Sequence, residues 1–519
     1  MIFGKNYSSP VFLAFLALAF FLVFFPNFGQ PISEGYRNAQ TATLTAGMLE
    51  MGTLRLDPVA PWRGDLDARL VQELPIYNLT ALALHAALPF LTLDSSGRLA
   101  SLLFWAAAFL LLQPLWKRTL APPAIFWANL LFLLCPMNLY LATAFMPETL
   151  LLLLTIAFLL LSWDYAHAPS LRKFAALAAI SALGLLVKFP AFVHLAIVAT
   201  LLLADRQGWK FLFRPAHLLA AALLLALVFG WGKYVEAVNK DHFASWSGME
   251  NLIGFIRPEA SRLSPGYWLT LIAFNLSFII PLAIAWLAIP GAVTTFRTLK
   301  TNPASRFWLY NLIALFAFWT IWGKAAPAQN YYNLPNLILL SALFGLGCQS
   351  TLDWLKTKNL PPILQKATAA TIAILLALSG YAGQHYLCRP DTITLAAAEW
   401  VKANTQPTDL IIYQPRHDPR VIDYEHQPLL SHLTGRRTCI WTRSTPDWEK
   451  SRALETSRYL IVTNAQDTTT PLENLRRKFK GPPSNPPEKV TDTYPQTFTE
   501  IESSAGFSVF HLNLNSNGT

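Results

Sequence analysis

Charged residues are scarce in this 519-residue chain: they make up 13% of it, against about 25% in an ordinary soluble protein. Apolar residues make up 53%, and the mean hydropathy is +0.36. This composition excludes a single soluble domain and a disordered chain. Four cysteines in this length exclude a disulfide scaffold. No internal repeat is visible, which weakens the case for an inverted-repeat transporter.

The net charge of +10, with a pI near 9.4, would by itself suggest a nucleic-acid partner. The excess is confined to residues 1–387, which hold 25 Lys and Arg against 15 Asp and Glu, whereas residues 388–519 hold 15 of each. The basic residues of the first part stand in short loops between apolar segments, as in membrane proteins, where such loops set the orientation. The charge therefore indicates a membrane protein and no nucleic acid.

Apolar runs long enough to span a bilayer core, which takes about 20 helical residues, recur along residues 1–387. We count eleven, at 10–28, 98–116, 122–143, 147–163, 172–187, 190–204, 217–235, 267–290, 306–322, 333–349 and 367–387. A further stretch, 77–92, is short for a span and contains Asn78, His85 and Pro89. We expect it to lie along or dip into the outer leaflet.

Eleven spans place fourteen Lys and Arg residues, against three acidic ones, on the side of Lys5. Such a bias marks the cytoplasmic side. The prediction is a polytopic all-α bundle over 1–387, with a first outward loop at 29–97. We expect it to be an integral, multi-pass protein of the bacterial inner (cytoplasmic) membrane.

Residues 388–519 predict an extracytoplasmic α/β domain. Thr394–Ala403 has helical spacing, and Asp409–Tyr413, Thr438–Trp441 and Arg458–Thr463 are short apolar runs typical of buried strands. Phe498–Ile501 and Phe507–Leu512 predict a final hairpin. For Cys388 and Cys439, the only cysteines of this domain, the sequence leaves open a disulfide or two buried thiols.

Three acids on the predicted outward side are candidate catalytic groups: Glu34, Glu73 and Glu148. Glu34 and Glu148 can each be explained as a first-turn acid that favours a helix N-terminus. However, an ionisable residue flush with apolar helices, as Glu148 is, is costly and is by default a functional candidate. Carboxylates that face one cavity can supply a general base.

Cations and tyrosines on the same side are candidates for binding a phosphate or a sugar. Lys188 stands between two apolar helices, where it either extends to the interface or holds a lipid phosphate. The other candidates are Tyr36, Arg257, Arg262, Lys324, Tyr331 and Tyr332. The arginines are alternatively solvated loop charges, and the tyrosines an aromatic belt.

Five motifs follow one another along the predicted outward side: Ser33-Glu34-Gly35-Tyr36, Glu73-Leu74-Pro75-Ile76-Tyr77, Glu148, Gly184-Leu185-Leu186-Val187-Lys188 and Tyr331-Tyr332-Asn333-Leu334-Pro335. In this order they resemble the GT-C superfamily of polytopic glycosyltransferases, in its aminoarabinose-transferase and protein O-mannosyltransferase branch. The branch has two acids where this chain has only Glu34, and a lysine where it has Leu74. The phosphate contact of that lysine is therefore either missing here or moved to Arg69 or Lys188.

The resemblance implies that a sugar passes from a polyprenyl-phosphate-linked donor to a lipid, glycan or protein acceptor on the outer face of the membrane, with inversion. Glu34 would act as base or position the acceptor, Glu73 and Glu148 would support it, and Lys188 would hold the phosphate. A divalent metal is the one cofactor left open. The alternatives are a lipid-linked glycan transporter or flippase, and a related glycan polymerase or ligase.

Overall fold

The computed structural model describes residues 16–22, 28–32, 36–51, 56–64, 69–239, 264–322, 330–414, 428–441, 447–463, 498–503 and 507–512. It is mostly helical, with one small sheet near the C-terminus. Helices before the sheet are α1 Tyr36–Glu50, α2 Ile76–Ala87, α3 Leu93–Thr119, α4 Pro122–Leu134, α5 Pro136–Thr143, α6 Glu148–His167, α7 Leu171–Phe192, α8 Leu195–Gln207, α9 Trp209–Leu212, α10 Pro215–Asn239, α11 Pro265–Phe274, α12 Leu282–Ala285, α13 Ala288–Arg297, α14 Pro303–Ala317, α15 Asn336–Thr357 and α16 Pro362–Leu387. Short π-helical segments follow α11 and α14, at Asn275–Ile279 and Phe318–Trp322, and Asn330–Asn333 forms a 3₁₀ turn.

Within the described residues, six helices are long and apolar enough to cross a membrane, or up to eight if each of two bent pairs counts as one span. The stretch predicted to lie in the outer leaflet contains α2, which has only 12 residues. A polytopic helical membrane protein is therefore confirmed, whereas eleven spans stay a prediction. Shorter helices such as α8, with 13 residues, make up part of the difference.

Two runs that the sequence predicts as single spans are bent. The axis turns by 54° between α4 and α5, and by 98° between the Pro265–Ile279 and Leu282–Arg297 segments. Pro136 and Pro281 stand at the breaks, and proline has no N–H with which to continue a helical ladder. Both bends place non-helical backbone inside the protein, which a membrane tolerates only where it is not exposed to lipid.

The C-terminal sheet has the order β2-β1-β3-β5-β4, with β1 Leu410–Gln414, β2 Arg437–Ile440, β3 Tyr459–Thr463, β4 Phe498–Ser503 and β5 Phe507–Leu512. The first three strands are parallel and the last two form an antiparallel hairpin. Helices α17 Thr392–Asn404, α18 Leu429–Thr434 and α19 Asp447–Thr456 alternate with the strands. The predicted mixture of helices and strands near the C-terminus is confirmed, whereas a separate extracytoplasmic domain over 388–519 stays a prediction. Cys388 and Cys439 are buried thiols, the second alternative.

The sheet docks onto the first long loop through its strand β2. Thr438 donates its backbone N–H to the Pro61 carbonyl at 2.9 Å, and Gly64 donates to the Thr438 carbonyl at 2.8 Å. Below this contact, His432 of α18 lies 3.1 Å from the Asp94 carboxylate at the start of α3. The C-terminal part of the chain is therefore attached to the preceding part at two places, the first long loop and the start of α3.

Helix α1 is polar and yet buried. Its first turns carry asparagine, glutamine and threonine side chains at less than a tenth exposure. The burial arises because α18 packs on it from the C-terminal domain while α2 and α3 pack on it from the bundle. Neighbouring helices bond several of these groups: Asn78 donates to Thr45 at 2.7 Å, and Asn38 donates to the Tyr140 hydroxyl at 2.8 Å.

Candidate active site

Glu148 begins α6, directly after a turn that neighbouring helices hold in place. Tyr77 donates its hydroxyl to the Gly97 carbonyl at 2.7 Å and lies 2.8 Å from the Ser101 hydroxyl, which bonds the Ala144 carbonyl of the turn. Gly97 has no side chain because the Phe145 ring occupies that space; a Cβ there would lie 2.1 Å from it. The carboxylate at the helix N-terminus is therefore placed by buried, well-packed contacts.

Lys188 lies at a kink in α7. Its backbone is extended, with φ −160° and ψ 78°, and Pro190 follows two residues later. Since Pro190 has no N–H, it leaves the Leu186 carbonyl without its helical partner. Leu74 supplies the missing donor: its backbone N–H bonds Leu186 O at 3.0 Å. This one contact brings the Glu73-Leu74 segment beside the lysine.

Lys188 and Glu148 form a buried ion pair. The ammonium donates to Glu148 Oε1, and the two side chains are 5% and 0% exposed. The second carboxylate oxygen, Oε2, is also buried and has no hydrogen-bond partner among the described residues. The ammonium lies 4.5 Å from the ring centroid of Tyr331 and 4.8 Å from that of Tyr332. Aromatic faces attract such a cation, more strongly when water is excluded.

A second ion pair lies close by, between Arg37 of α1 and Glu73. Arg37 also donates to Gln40 at 2.7 Å and to Gln72. Burial by itself lowers the pKa of Arg37, but the Glu73 carboxylate and, more weakly, Tyr331, Glu148 and Tyr332 together raise this pKa above its ordinary value. The guanidinium therefore senses the charges of both pairs, and the two pairs form one cluster.

The turn that carries the two tyrosines is anchored by asparagine amides. Asn336 donates to the Asn333 side-chain oxygen at 3.2 Å and to that of Asn275 at 3.5 Å. Asn275 begins the π-helical turn after α11, and such turns are frequent at functional sites. All three amides are buried. They connect the Tyr331–Tyr332 rings to the broken helix α11.

Five residues predicted from the sequence come together in this cluster: Glu73, Glu148, Lys188, Tyr331 and Tyr332. Tyr36 is the first residue of α1, but its side chain lies outside the described residues, and so do Glu34, Arg257, Arg262 and Lys324. Arg69, the alternative phosphate contact, lies 3.5 Å from Asp57 and bonds within its own loop. Their assignments stay predictions.

Sequence reasoning missed Arg37, Gln40 and Gln72. Arg37 directly follows the Glu34-Gly35-Tyr36 motif, and that position is the signal that could have identified it. No group of three or more His, Cys, Asp or Glu side chains in the described part of the chain is arranged to hold a metal ion. The cluster instead offers two cations that can hold an anion and two carboxylates that can accept a proton.

No family model matches this chain, and no curated protein matches it in sequence. Among solved structures, ArnT from Cupriavidus metallidurans bound to undecaprenyl phosphate is similar to it with a TM-score of 0.64, at 12% identity, over 97% of this chain and 98% of that one. Its apo structure gives the same score. The archaeal oligosaccharyltransferase AglB from Archaeoglobus fulgidus, in complex with an inhibitory peptide and a dolichol-phosphate, gives 0.54 at 14% identity, over 88% of this chain and 70% of that one. The chain therefore shares its fold with these two transferase structures, as expected from the resemblance of its motifs.

Proposed function

We propose that this protein is a glycosyltransferase that moves a sugar from a polyprenyl-phosphate-linked donor to a lipid, glycan or protein acceptor. The observation that carries the proposal is the buried Lys188–Glu148 pair beneath Tyr331 and Tyr332, with the Arg37–Glu73 pair beside it. Opposite charges held together at the end of apolar helices suit a donor whose tail lies in the membrane and whose phosphate must be bound at its edge. The likeness in fold to an ArnT solved with undecaprenyl phosphate supports this donor class.

In the proposed reaction, an acceptor hydroxyl attacks the anomeric carbon of the donor. The new C–O bond forms as the bond from that carbon to the phosphate oxygen breaks, so the anomeric configuration inverts. Lys188 and Arg37 stabilise the charge that develops on the leaving phosphate. Glu148, whose Oε2 has no partner among the described residues, takes the proton of the hydroxyl. Glu73 orients Arg37, and Glu34 is proposed to position the acceptor.

The same proposal places the site at the outer face of a bacterial inner membrane. Glu148 begins α6 and Lys188 lies near the end of the antiparallel α7, so both stand at one end of this helix pair. The basic loops at 117–118 and 172–173 stand at the other end. If the basic end is cytoplasmic, as such a bias indicates, the cluster and the C-terminal domain face outward.

A transfer assay tests the proposal. Purified protein in proteoliposomes is given polyprenyl-phosphate donors with labelled sugars, and mass spectrometry of envelope glycolipids and glycoproteins, with and without the protein, identifies the natural product. Glu148→Gln should lower turnover by about 100- to 10,000-fold, and Glu34→Gln should lower it as well. Asp164→Asn, at the opposite end of α6, is the matched control and should leave turnover unchanged.

Two results would replace this function by one of its rivals. Movement of an intact lipid-linked glycan between leaflets, unaffected by Glu34→Gln and Glu148→Gln, would identify a flippase. Transfer that requires a lipid-diphosphate donor and fails with a monophosphate would identify a polymerase or ligase.

A further inference from the structure

The resting site holds no unpaired cation among its described residues. Arg37 is paired with Glu73 and Lys188 with Glu148. An incoming phosphate therefore meets each of these two cations already paired with a carboxylate. Both partners of the Lys188–Glu148 pair are buried, so water does little to weaken their mutual attraction before a ligand arrives.

The two cations differ in how readily they can change partners. Arg37 is held by Glu73, Gln40 and Gln72 together, which fix the guanidinium from several directions. Lys188 has three N–H donors, yet Glu148 Oε1 is its one hydrogen-bond acceptor in the part of the chain that the structure describes. The tyrosine rings hold the ammonium by charge attraction and impose no hydrogen-bond direction. Lys188 is therefore the cation that a phosphate recruits at least cost.

We infer that Glu148 and the donor phosphate compete for the Lys188 ammonium, so that donor binding itself releases the carboxylate that acts as base. This inference rests on the proposed function and adds its regulation: Glu148 is occupied by Lys188 until a donor is bound. An acceptor that arrives first can approach Oε2, but it meets a carboxylate whose negative charge Lys188 already offsets through Oε1. Donor before acceptor is the productive order.

The charges on Glu148 and on the phosphate change during the proposed reaction, and these changes return the site to its starting state. When the acceptor attacks, its O–H bond breaks and the proton goes to Glu148, while the electron pair of the anomeric C–O bond stays with the leaving polyprenyl phosphate. The leaving phosphate then carries one more negative charge than the donor phosphodiester did, so it binds Lys188 more strongly than the donor does. The neutral Glu148 does not compete for the ammonium at this stage. When Glu148 passes its proton to solvent and is negative again, it competes for Lys188 once more and helps expel the product.

The experiment measures binding of undecaprenyl phosphate, without a sugar, to the full-length protein in detergent or nanodiscs. If Glu148 competes for the ammonium, Glu148→Gln should bind the lipid phosphate about tenfold more tightly than the wild type, because a charge-assisted hydrogen bond to the competing carboxylate is removed. Lys188→Gln should weaken binding. Glu73→Gln, which removes the acid of the neighbouring pair, is the matched control and should change the affinity less than Glu148→Gln does.

Glu148→Gln leaves Lys188 buried without a counter-charge, so its folding is checked by thermal unfolding. Glu148→Asp provides a second test that keeps the charge: its side chain is one methylene shorter, the pair loosens, and binding should again tighten. Weaker or unchanged phosphate binding in both variants would overturn the inference and leave Glu148 a purely structural partner of Lys188.

The two proposals fail separately. Tighter binding in the Glu148 variants, with no transfer from any polyprenyl-phosphate sugar, would sustain the competition and refute the function. Transfer that depends on Glu148, combined with weaker binding in both variants, would sustain the function and refute the competition.

Discussion

Helices α6 and α7 pack against each other, and at each end of this pair α6 carries an acid and α7 a lysine. The two ends differ in how deeply these charges are buried. At one end Glu148 and Lys188 are buried and paired with each other. At the other end Asp164 is 27% exposed and pairs with Arg118, which is 36% exposed. Lys173 there donates to the carbonyls of Asp164 and Ala168, where it caps the end of α6.

This comparison separates a buried charge pair from an exposed one on the same two helices. Exposed ion pairs contribute about 0–1 kcal/mol, because water and salt screen them. Removing charges from water costs several kcal/mol each, so a buried pair is weak evidence for stability and needs another explanation. The competition with a donor phosphate that we propose would supply that explanation for Glu148 and Lys188, whereas Asp164 and Arg118 need none.

The largest expected difference concerns the two lysines of α7. Lys188→Met should lower transfer from a polyprenyl-phosphate donor by at least about 100-fold, because it removes the charge that stabilises the leaving phosphate. Lys173→Met should change transfer by less than about twofold, since it caps a helix end away from the site. Initial rates in proteoliposomes, normalised to folded protein, measure both. Equal losses in the two variants would break the comparison.

The next difference is one of stability. Arg37→Gln should lower the free energy of unfolding by about 3 kcal/mol, because it leaves the partly buried Glu73 without its counter-charge. Arg118→Gln should cost less than about 1 kcal/mol, as its ion pair is exposed. Denaturation in mixed detergent micelles gives both values. If Arg118→Gln lowered the free energy of unfolding more than Arg37→Gln did, burial would not explain the difference between the two charge pairs.

The smallest effect concerns the rings over Lys188, which have no counterpart over Lys173 among the described residues. Tyr332→Leu should raise the donor KM by about 2- to 30-fold, the range of a cation–π contact worth about 0.5–2 kcal/mol. Tyr332→Phe keeps the aromatic face and should stay close to the wild type. A leucine variant with an unchanged KM would mean that the ring only fills space.

Local patterns predicted much of this architecture. The strand predicted at Asp409–Tyr413 is observed as Leu410–Gln414, and the hairpin strand Phe507–Leu512 has the predicted bounds. Both could be predicted because the signal, a short apolar run between turn residues, lies within the strand and its flanks. The same holds for α2, too short to span a membrane. The cluster of Glu148 and Lys188 was foreseen in part, since α6 and α7 are consecutive and antiparallel.

What escaped local reasoning depends on contacts between distant segments. Arg37 stands in a polar helix that resembles a solvated surface, and that helix is buried because α2, α3 and α18, the last of them about 390 residues later, pack against it. Gln72 joins the cluster only because the Leu186 carbonyl attracts the Leu74 N–H. The bends at Pro136 and Pro281 lie in runs whose hydropathy continues across the break. No periodicity within a single element encodes these features.

The pairing of Thr438 with Pro61 and Gly64 has a consequence for handling the C-terminal domain. In the described sheet β2 is an outer strand, and an outer strand left bare is a template for association with other chains. The first long loop supplies the backbone partners that cover it. A fragment that starts at residue 388 would lose this cover and expose β2 as an unpaired edge strand, which promotes aggregation. Work with the isolated domain, such as antibody selection or crystallisation, therefore calls for residues 56–64 to be included or for charged residues to be placed on β2.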